Sequence, residues 1–513
     1  MPRVINPVLC AACGAALAYY VLSPLYRAEL ITTNALLVLA FVPLAVLCLF
    51  RVLASLAVEL PQALFEDIHS DTISRKIRRL RLVPLRITAF AAGLALGIGA
   101  GTKAVQPISF GIPEHTVRGI SGVALDDPRL VSGGRAMTTL SLRMSTGDSG
   151  ARVTARGEIT VFFPEENAMR LREFGRGTEI FAEGILRDGF GNGYMFSAES
   201  LHVTQAAAPL QRFRTNLRLG LTERFVRAAS GDGWGGLALA LLLGIRDNLD
   251  AGIASLYRDS GCSHILALSG MHLAVLAAII SFLLKRVLGL RLAAITGALL
   301  IAAYCYIVGP LPSLNRAALM YMLGVLAVLG MLKRDPLSLL CMAFVVQILI
   351  TPQAGLSLSF ILSYLALAGI LTIGIMLNDI CKGAMPFFLL SSISASIGAF
   401  VATAGVTAWF FGVLRPVGIL ASLILTPLTT LFMIVSIAWL GLDIALPSIS
   451  MVLSRPLSLL YWLMEKTALL SSRVPGISGS PWLVLSLSLL IVVLLIWLFW
   501  RRRTTGNRLE PFA

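Results

Sequence analysis

Charge is scarce in this chain. Asp, Glu, Lys and Arg together make up 13% of its 513 residues, against 57% hydrophobic residues. Soluble globules carry roughly a quarter charged residues, so that class is excluded, and the mean hydropathy of +0.83 agrees. Acids are the scarcer sign, 27 against 42 bases. Most of the basic excess lies in short segments flanking apolar runs, where the cytoplasmic retention of Lys and Arg alone predicts it, so it is no argument for nucleic acid. Histidine occurs only at positions 69, 115, 202, 264 and 272, never as HxH, which excludes a two-metal centre of the HxHxDH kind. No GxxxxGK[ST] is present, which excludes ATP held by a P-loop as the direct energy source. The seven cysteines, at 10, 13, 48, 262, 305, 341 and 381, all lie in or beside apolar runs, so no disulfide framework is implied. Cys10 and Cys13 form a CxxC inside a span without a βαβ context, which argues against a redox pair. No cofactor is expected.

What is there is length of apolar chain. Runs of the roughly 17 to 25 residues that a bilayer requires fall near 4–23, 31–53, 88–105, 264–284, 291–309, 316–332, 337–351, 356–376, 386–411, 417–441 and 482–500. The expected fold is a polytopic α-helical membrane protein of about eleven spans. The first run has one arginine ahead of it and no clear small-residue cleavage site, so an uncleaved anchor is expected rather than a signal peptide. The basic cluster RKIRRLRLVPLR at 75–86 should stay cytoplasmic, which puts the amino terminus inside and the segment after the third span outside. Lys285, Arg286 and Arg291, then Lys333 and Arg334, then Lys382 fall in alternate later loops and keep that parity. The segment 443–481 crosses, lies in the interface or re-enters, which leaves the side of the carboxy terminus open.

One stretch, 112–206, is soluble in character and is inserted between spans. VRGISGVAL, RAMTTLSLRM, ARVTARGEITVFF, TEIFAEGILRD and YMFSAESLHV alternate as strands, and ENAMRLREFGRG between the third and fourth reads as a short helix. Five strands with a helix in that place match an all-β OB-fold-like domain, a barrel often used for oligonucleotides. Phe162, Phe163, Phe181, Tyr194 and Phe196 offer stacking faces, although alternation assigns most of them to the barrel core, and contact with DNA stays open. In 207–232, Leu210, Phe213, Leu217, Leu221 and Phe225 form one helical stripe, interrupted by Arg224, suited to a membrane interface or to a scaffold packed across the bundle. Gly93, Gly97 and Gly101 recur at four-residue spacing, which permits close helix approach.

The segment HILALSGMHLAVLAAII at 264–280 is apolar enough for a bilayer yet carries two histidines and a serine. Polar groups at that depth face a cavity, a pore or a partner helix. On a continuous helix Ser269 and His272 lie about 60° apart and His264 about 80° from His272, so all three share one face. Gly261 and Gly270 allow close backbone approach. Arg316, following Ser313 and Asn315, opens a span and is placed either to meet a phosphate or to snorkel. Arg246 with Asp247, and Arg258 with Asp259, read as local ion pairs in turns, the first pair also as a candidate for the polar path.

The run GGLALALLLGIRDNLDAGIASLYRDSGCSHILALSGMHLAVLAAI, then LPSLNRAALMYMLG, TPQAGLSLSFILSYLALAGI and GVLRPVGILASLILTPL, resembles the core of the ComEC-type competence family, with Met271 a mild departure. The resemblance implies a channel for single-stranded DNA across the cytoplasmic membrane in natural transformation, and a path bordered by Arg246, Asp247, His264, Ser269, His272, Asn315 and Arg316. Many members continue into a metallo-β-lactamase-like domain, for which this sequence has no ligand cluster; it resembles a short form that is not itself an enzyme. The implied partners are single-stranded DNA, membrane lipid, a DNA receptor, a separate nuclease and a cytoplasmic DNA translocase. The expected division is 1–111, membrane spans with the basic loop; 112–206, the extracytoplasmic barrel; 207–232, the amphipathic helix; 233–442, the channel core; and 443–513, an amphipathic segment, a last span and a basic tail. The alternatives are a transporter or export component for another substrate and, less well supported, an intramembrane hydrolase using Ser269 and His272. The hydrolase lacks a third residue to orient the imidazole.

Overall fold

The computed structural model describes residues 7–22, 82–104 and most of 108–494, with short gaps of which 165–174 is the longest. The expected span 31–53, most of the basic cluster at 75–86, Lys333 and Arg334, and the expected short helix of the barrel lie outside the described residues.

The inserted domain folds as alternation requires. Strands β1 (Val117–Ala124), β2 (Arg129–Val131), β3 (Arg135–Gly147), β4 (Arg152–Thr154), β5 (Glu158–Pro164), β6 (Glu179–Asp188) and β7 (Tyr194–Gln205) form one sheet. It closes because β1 pairs antiparallel with both β3 and β6. The ring continues β3 to β5, β5 to β7 in parallel, and β7 to β6. That order, with its one parallel contact, is the OB-like closure expected from the sequence, with β2 and β4 as short additions. Every second side chain points inward, so Ile159, Val161 and Phe163 of β5 are buried with Ile120, Leu140, Ile180 and Phe196. Of the five candidate stacking aromatics, Phe163 and Phe196 are core, whereas Phe162, Phe181 and Tyr194 are half-buried.

The rest is helical. Helix α1 (Pro7–Leu17) lies against α2 (Leu82–Ala104), and the small residues read from the sequence set their distance: a Cβ on Gly93 would sit 2.0 Å from the Ala11 carbonyl oxygen, and one on Gly97 2.3 Å from that of Ala15. After the barrel, α3 (Pro209–Ala229) leads to α4 (Trp234–Leu243) and α5 (Ala251–Asp259). All ten residues of α4 are buried, as a helix apolar on every side must be. Trp234 of α4 stacks edge-on with Trp439 at 5.4 Å, and Phe225 of α3 lies 4.8 Å from the same indole.

Five helices among the described residues are long and apolar enough to cross a membrane: α6 (Gly270–Val308), α7 (Pro312–Leu329), α9 (Leu358–Ile380), α10 (Phe387–Phe411) and α11 (Val417–Ala445). Helix α8 (Pro336–Ile350) precedes α9, and α12 (Pro447–Ser472) follows α11. The expectation of about eleven spans is corrected to these five helices among the described residues. The expected spans 264–284 and 291–309 are the two halves of α6, which reverses at Gly289 (φ 71°, ψ 174°). Leu273 and Ala277 pack with Ile301 and Val308, so the halves run back along each other. For the expected spans 4–23 and 337–351, α1 and α8 are helices of 11 and 15 residues, α1 continuing as a π-helix over Ala18–Leu22, and 482–500 is described only in part. The outer faces of α6 expose Phe282, Leu283, Val287, Leu290, Leu292 and Leu299. Such a surface is unfavourable in water and suits lipid. These lengths and faces are those of a multi-pass membrane protein.

Candidate functional site

The opening segment is not one helix. A single turn at Ser263–Leu266 ends at Ala267, whose backbone is extended (φ −75°, ψ 127°), and α6 begins afresh at Gly270 after an extended Ser269 (φ −121°, ψ 172°). The common polar face calculated for a continuous helix is therefore corrected: the polar residues cluster at a break. The reason is local, because Ser269 caps α6. Its hydroxyl accepts from the backbone of His272, while His272 Nδ1 accepts from the Ser269 backbone N–H at 2.8 Å. This reciprocal box, with His in the place usually taken by Glu or Gln, satisfies donors that a helix start leaves free. It also fixes the tautomer, with the ring proton on Nε2. His272 is fully buried and, among the described residues, Nε2 has no partner. His264 is exposed in the turn before the break.

Other helices meet this break. Ser313 donates to the Leu268 carbonyl at 2.7 Å, and Arg246 donates to that of Leu266 at 3.1 Å. Arg316 is buried in α7, donates to the Ser363 carbonyl, and lies with its guanidinium carbon 5.8 Å from the centre of the Tyr364 ring. A Cβ on Gly270 would sit 2.9 Å from Arg316 Nη2, so the guanidinium reaches the start of α6. Tyr364 in turn donates to Gln347 Oε1 at 2.8 Å, and Gln347 donates to the Pro312 carbonyl at 3.2 Å. Asn315 is half-buried beside Arg316. Of the expected residues, the structure thus brings Ser269, His272 and Arg316 to one helix end, with Arg246 on the preceding turn. Ser363, Tyr364 and Gln347 were missed. A glutamine inside the apolar run FVVQILI was the available signal.

Arg258 and Asp259 do not form the expected loop pair. Asp259 instead binds Arg415 at 3.0 Å, across the contact where Gly261 (φ 75°) leaves room for the Arg415 carbonyl.

A second polar cluster joins the barrel to the bundle. Arg214 of α3 donates from both terminal nitrogens to Asp127, in the β1–β2 loop, at 2.9 and 2.8 Å. Its Nε donates to the Tyr306 carbonyl at 2.8 Å. Arg218 donates to the carbonyls of Leu243, Ile307 and Val308. Two guanidinium groups therefore cap the carboxy-terminal carbonyls of α4 and α6, where the helix dipole favours cations, and Asp127 balances them. Burial alone would raise the Asp127 carboxyl, but the hydrogen bond from Arg214 and the charge of Arg218 outweigh it and hold it below the usual range. Burial pushes Arg218 down to about 10 despite Asp127, so Arg218 stays charged at neutral pH. Leu210 and Phe213 of the expected apolar stripe are exposed, and Arg214 and Thr215 are buried instead. Helix α3 acts as a scaffold through its arginines as much as through its apolar side.

No group of three or more His, Cys, Asp or Glu among the described residues is placed to hold a metal ion.

The chain belongs to the competence protein family, whose sequence model matches residues 241–503, just over half of the 513 residues. That range contains the break, Arg246, Arg316, Gln347 and Tyr364. A protein of Aquifex aeolicus (strain VF5), described as uncharacterized, is 29% identical over 216 residues, 42% of this chain and 50% of that one. ComE operon protein 3 of Bacillus subtilis (strain 168) is 30% identical over 135 residues, 25% of this chain and 17% of that one. The similarity thus spans half or less of each of these relatives.

Proposed function

We propose that the chain is a channel through which a single strand of DNA crosses the bacterial cytoplasmic membrane in natural transformation, entering beneath the barrel and passing the break at 267–269. The observation that carries this reading is the convergence of polar groups from separate segments, Arg246, Ser269, His272, Ser313 and Arg316, on one helix break in an otherwise apolar bundle. Intramembrane polar clusters of this kind usually face a substrate path. The position of the break adds support. Because α6 reverses at Gly289, its start at Gly270 and its end at Val308 share one side, and Val308 is the end clamped to the barrel through Arg214 and Arg218. Lys285, Arg286 and Arg291 flank the reversal and support a cytoplasmic side for that end. The barrel, residues 112–206, then stands outside, and 233–442 forms the core of the path.

In this reading the strand is delivered by a receptor, freed of its complement by a separate nuclease and drawn inward by a cytoplasmic translocase. The test is the transformation frequency of a clean deletion strain, complemented in trans. Full transformation without the gene overturns the proposal. Small-molecule flux through proteoliposomes, without DNA passage, would favour a transporter instead.

A further inference from the structure

Arg316 is a buried cation without a visible counter-ion. It is 7% exposed, and among the described residues no carboxylate lies within ion-pair distance of it. Its contacts are a carbonyl oxygen and a ring face, and its Nε–H, also buried, has no acceptor among the described residues. A charge removed from water and met only by dipoles is unfavourable unless an anion joins it.

The neighbouring groups have the same polarity. The guanidinium reaches Gly270, the first residue of the long helix α6, where the backbone N–H groups carry the positive end of the helix dipole. The capping box consumes the N–H of His272, but the N–H groups of Gly270 and Met271 have no acceptor among the described residues. With Nδ1 accepting from Ser269, His272 presents Nε2–H, buried and unpartnered. The unused groups at this helix end are all donors, and two of them are buried side-chain atoms. A partner that satisfies them has to offer acceptor oxygens and negative charge.

We propose that the start of α6 and Arg316 form a binding site for one phosphate group, with Arg316 and the Gly270 and Met271 N–H groups as its donors and His272 Nε2–H as a further donor at the same helix end. This rests on the channel reading for the source of the phosphate, a diester of the passing strand, although the chemistry is shared by a phospholipid headgroup. A single such site would hold the strand by one backbone linkage at a time irrespective of base, as an uptake path for unselected sequence requires.

The test is thermal unfolding of the purified full chain in a neutral detergent, at constant ionic strength, against inorganic phosphate, a short oligothymidylate and a short-chain phosphatidylglycerol in turn. Binding to the folded state raises the midpoint saturably. We expect phosphate to do so where chloride does not, and Arg316→Gln to weaken the apparent affinity on the order of tenfold or more, as loss of a charged hydrogen-bond partner does. Arg316→Lys keeps the buried charge should the glutamine variant fail to fold, and is expected to weaken the response through loss of the planar fork. An Arg316-dependent response to the oligonucleotide supports the strand as occupant. If phosphate and the lipid act through Arg316 and the oligonucleotide does not, the site stands and the channel reading of it fails. No Arg316-dependent response to any of the three overturns the site, and transformation of the Arg316→Gln strain then judges the channel reading separately.

Discussion

Asp127 and Arg214 are held together by two hydrogen bonds of 2.9 and 2.8 Å across 87 residues of sequence. One belongs to a loop of the barrel and the other to the helix that caps the ends of α4 and α6. The pair is the electrostatic centre of the joint between the barrel and the helical bundle. Removing the carboxylate leaves Arg214, 2% exposed, with carbonyl partners only. Loss of one partner of such a buried pair costs about 3–5 kcal/mol. Asp127→Ala should therefore lower the unfolding midpoint markedly and speed proteolytic release of the barrel. The same midpoint and digestion rate as the parent would show that the joint is held by other contacts.

The same carboxylate predicts a pH dependence. Its folded value lies below the ordinary one, about 3.9 for aspartate. Its contribution is therefore fully present above that ordinary value and is lost as pH falls through the lower, folded one. Between pH 5 and 8 the stability difference between parent and Asp127→Asn should stay constant, and it should shrink only in strong acid. A difference that closes between pH 5 and 7 would contradict the depressed value.

Glycines in α2 divide sharply by environment. A Cβ on Gly93 would meet the Ala11 carbonyl oxygen at 2.0 Å, whereas one on Gly99 would meet nothing within 4 Å. Gly93→Leu should force α1 and α2 apart and reduce the folded yield. Gly99→Ala should be neutral or stabilising by up to about 1 kcal/mol, the helix propensity gained. Equal yields of the two variants in detergent would mean that the close approach does not hold α1 in place.

How much of this could be read beforehand depends on the range of the interaction. The barrel was legible because burial alternates along each strand, as in β5, where Ile159, Val161 and Phe163 face inward. The reversal at Gly289 was legible as two spans separated by Lys285, Arg286 and Arg291. The helix break was not, since Ala-Leu-Ser-Gly contains no proline, and only the cap formed by Ser269 and His272 shows why α6 starts where it does. The clamp of Asp127, Arg214 and Arg218 was invisible for a different reason. Its partners are far apart in sequence, and the apolar stripe of α3 drew attention to Leu210 and Phe213 instead of to the arginine that is buried.

Two open glycines allow the proposed orientation to be measured. Gly150 (φ 76°) and Gly289 (φ 71°) have nothing within 4 Å of an added Cβ, so reporter insertions there should leave the fold intact. At 1.5 Å rise per residue, each half of α6 is long enough for a bilayer core of about 30 Å. An alkaline phosphatase insertion should therefore be active at 150 and inactive at 289, and a cytoplasmic reporter should give the reverse. Activity of one reporter at both sites would place the barrel and the reversal on the same side and undo the orientation.

His272 has two separable duties, and one pair of substitutions tells them apart. As a cap, its Nδ1 accepts the Ser269 backbone N–H, a contact whose loss costs roughly 0.5–2 kcal/mol. As a donor, its buried Nε2–H has no partner among the described residues, and in the proposed path it would face the strand. His272→Leu removes both. His272→Gln restores a side-chain acceptor of the kind found at this place in capping boxes while removing the imidazole. We expect the leucine variant to be less stable than the parent and to transform poorly, and the glutamine variant to regain most of the stability, measured by unfolding in detergent, without regaining transformation. A glutamine variant that transforms like the parent at normal membrane levels would reduce His272 to a helix cap. The path of the strand would then have to be sought away from this face of α6.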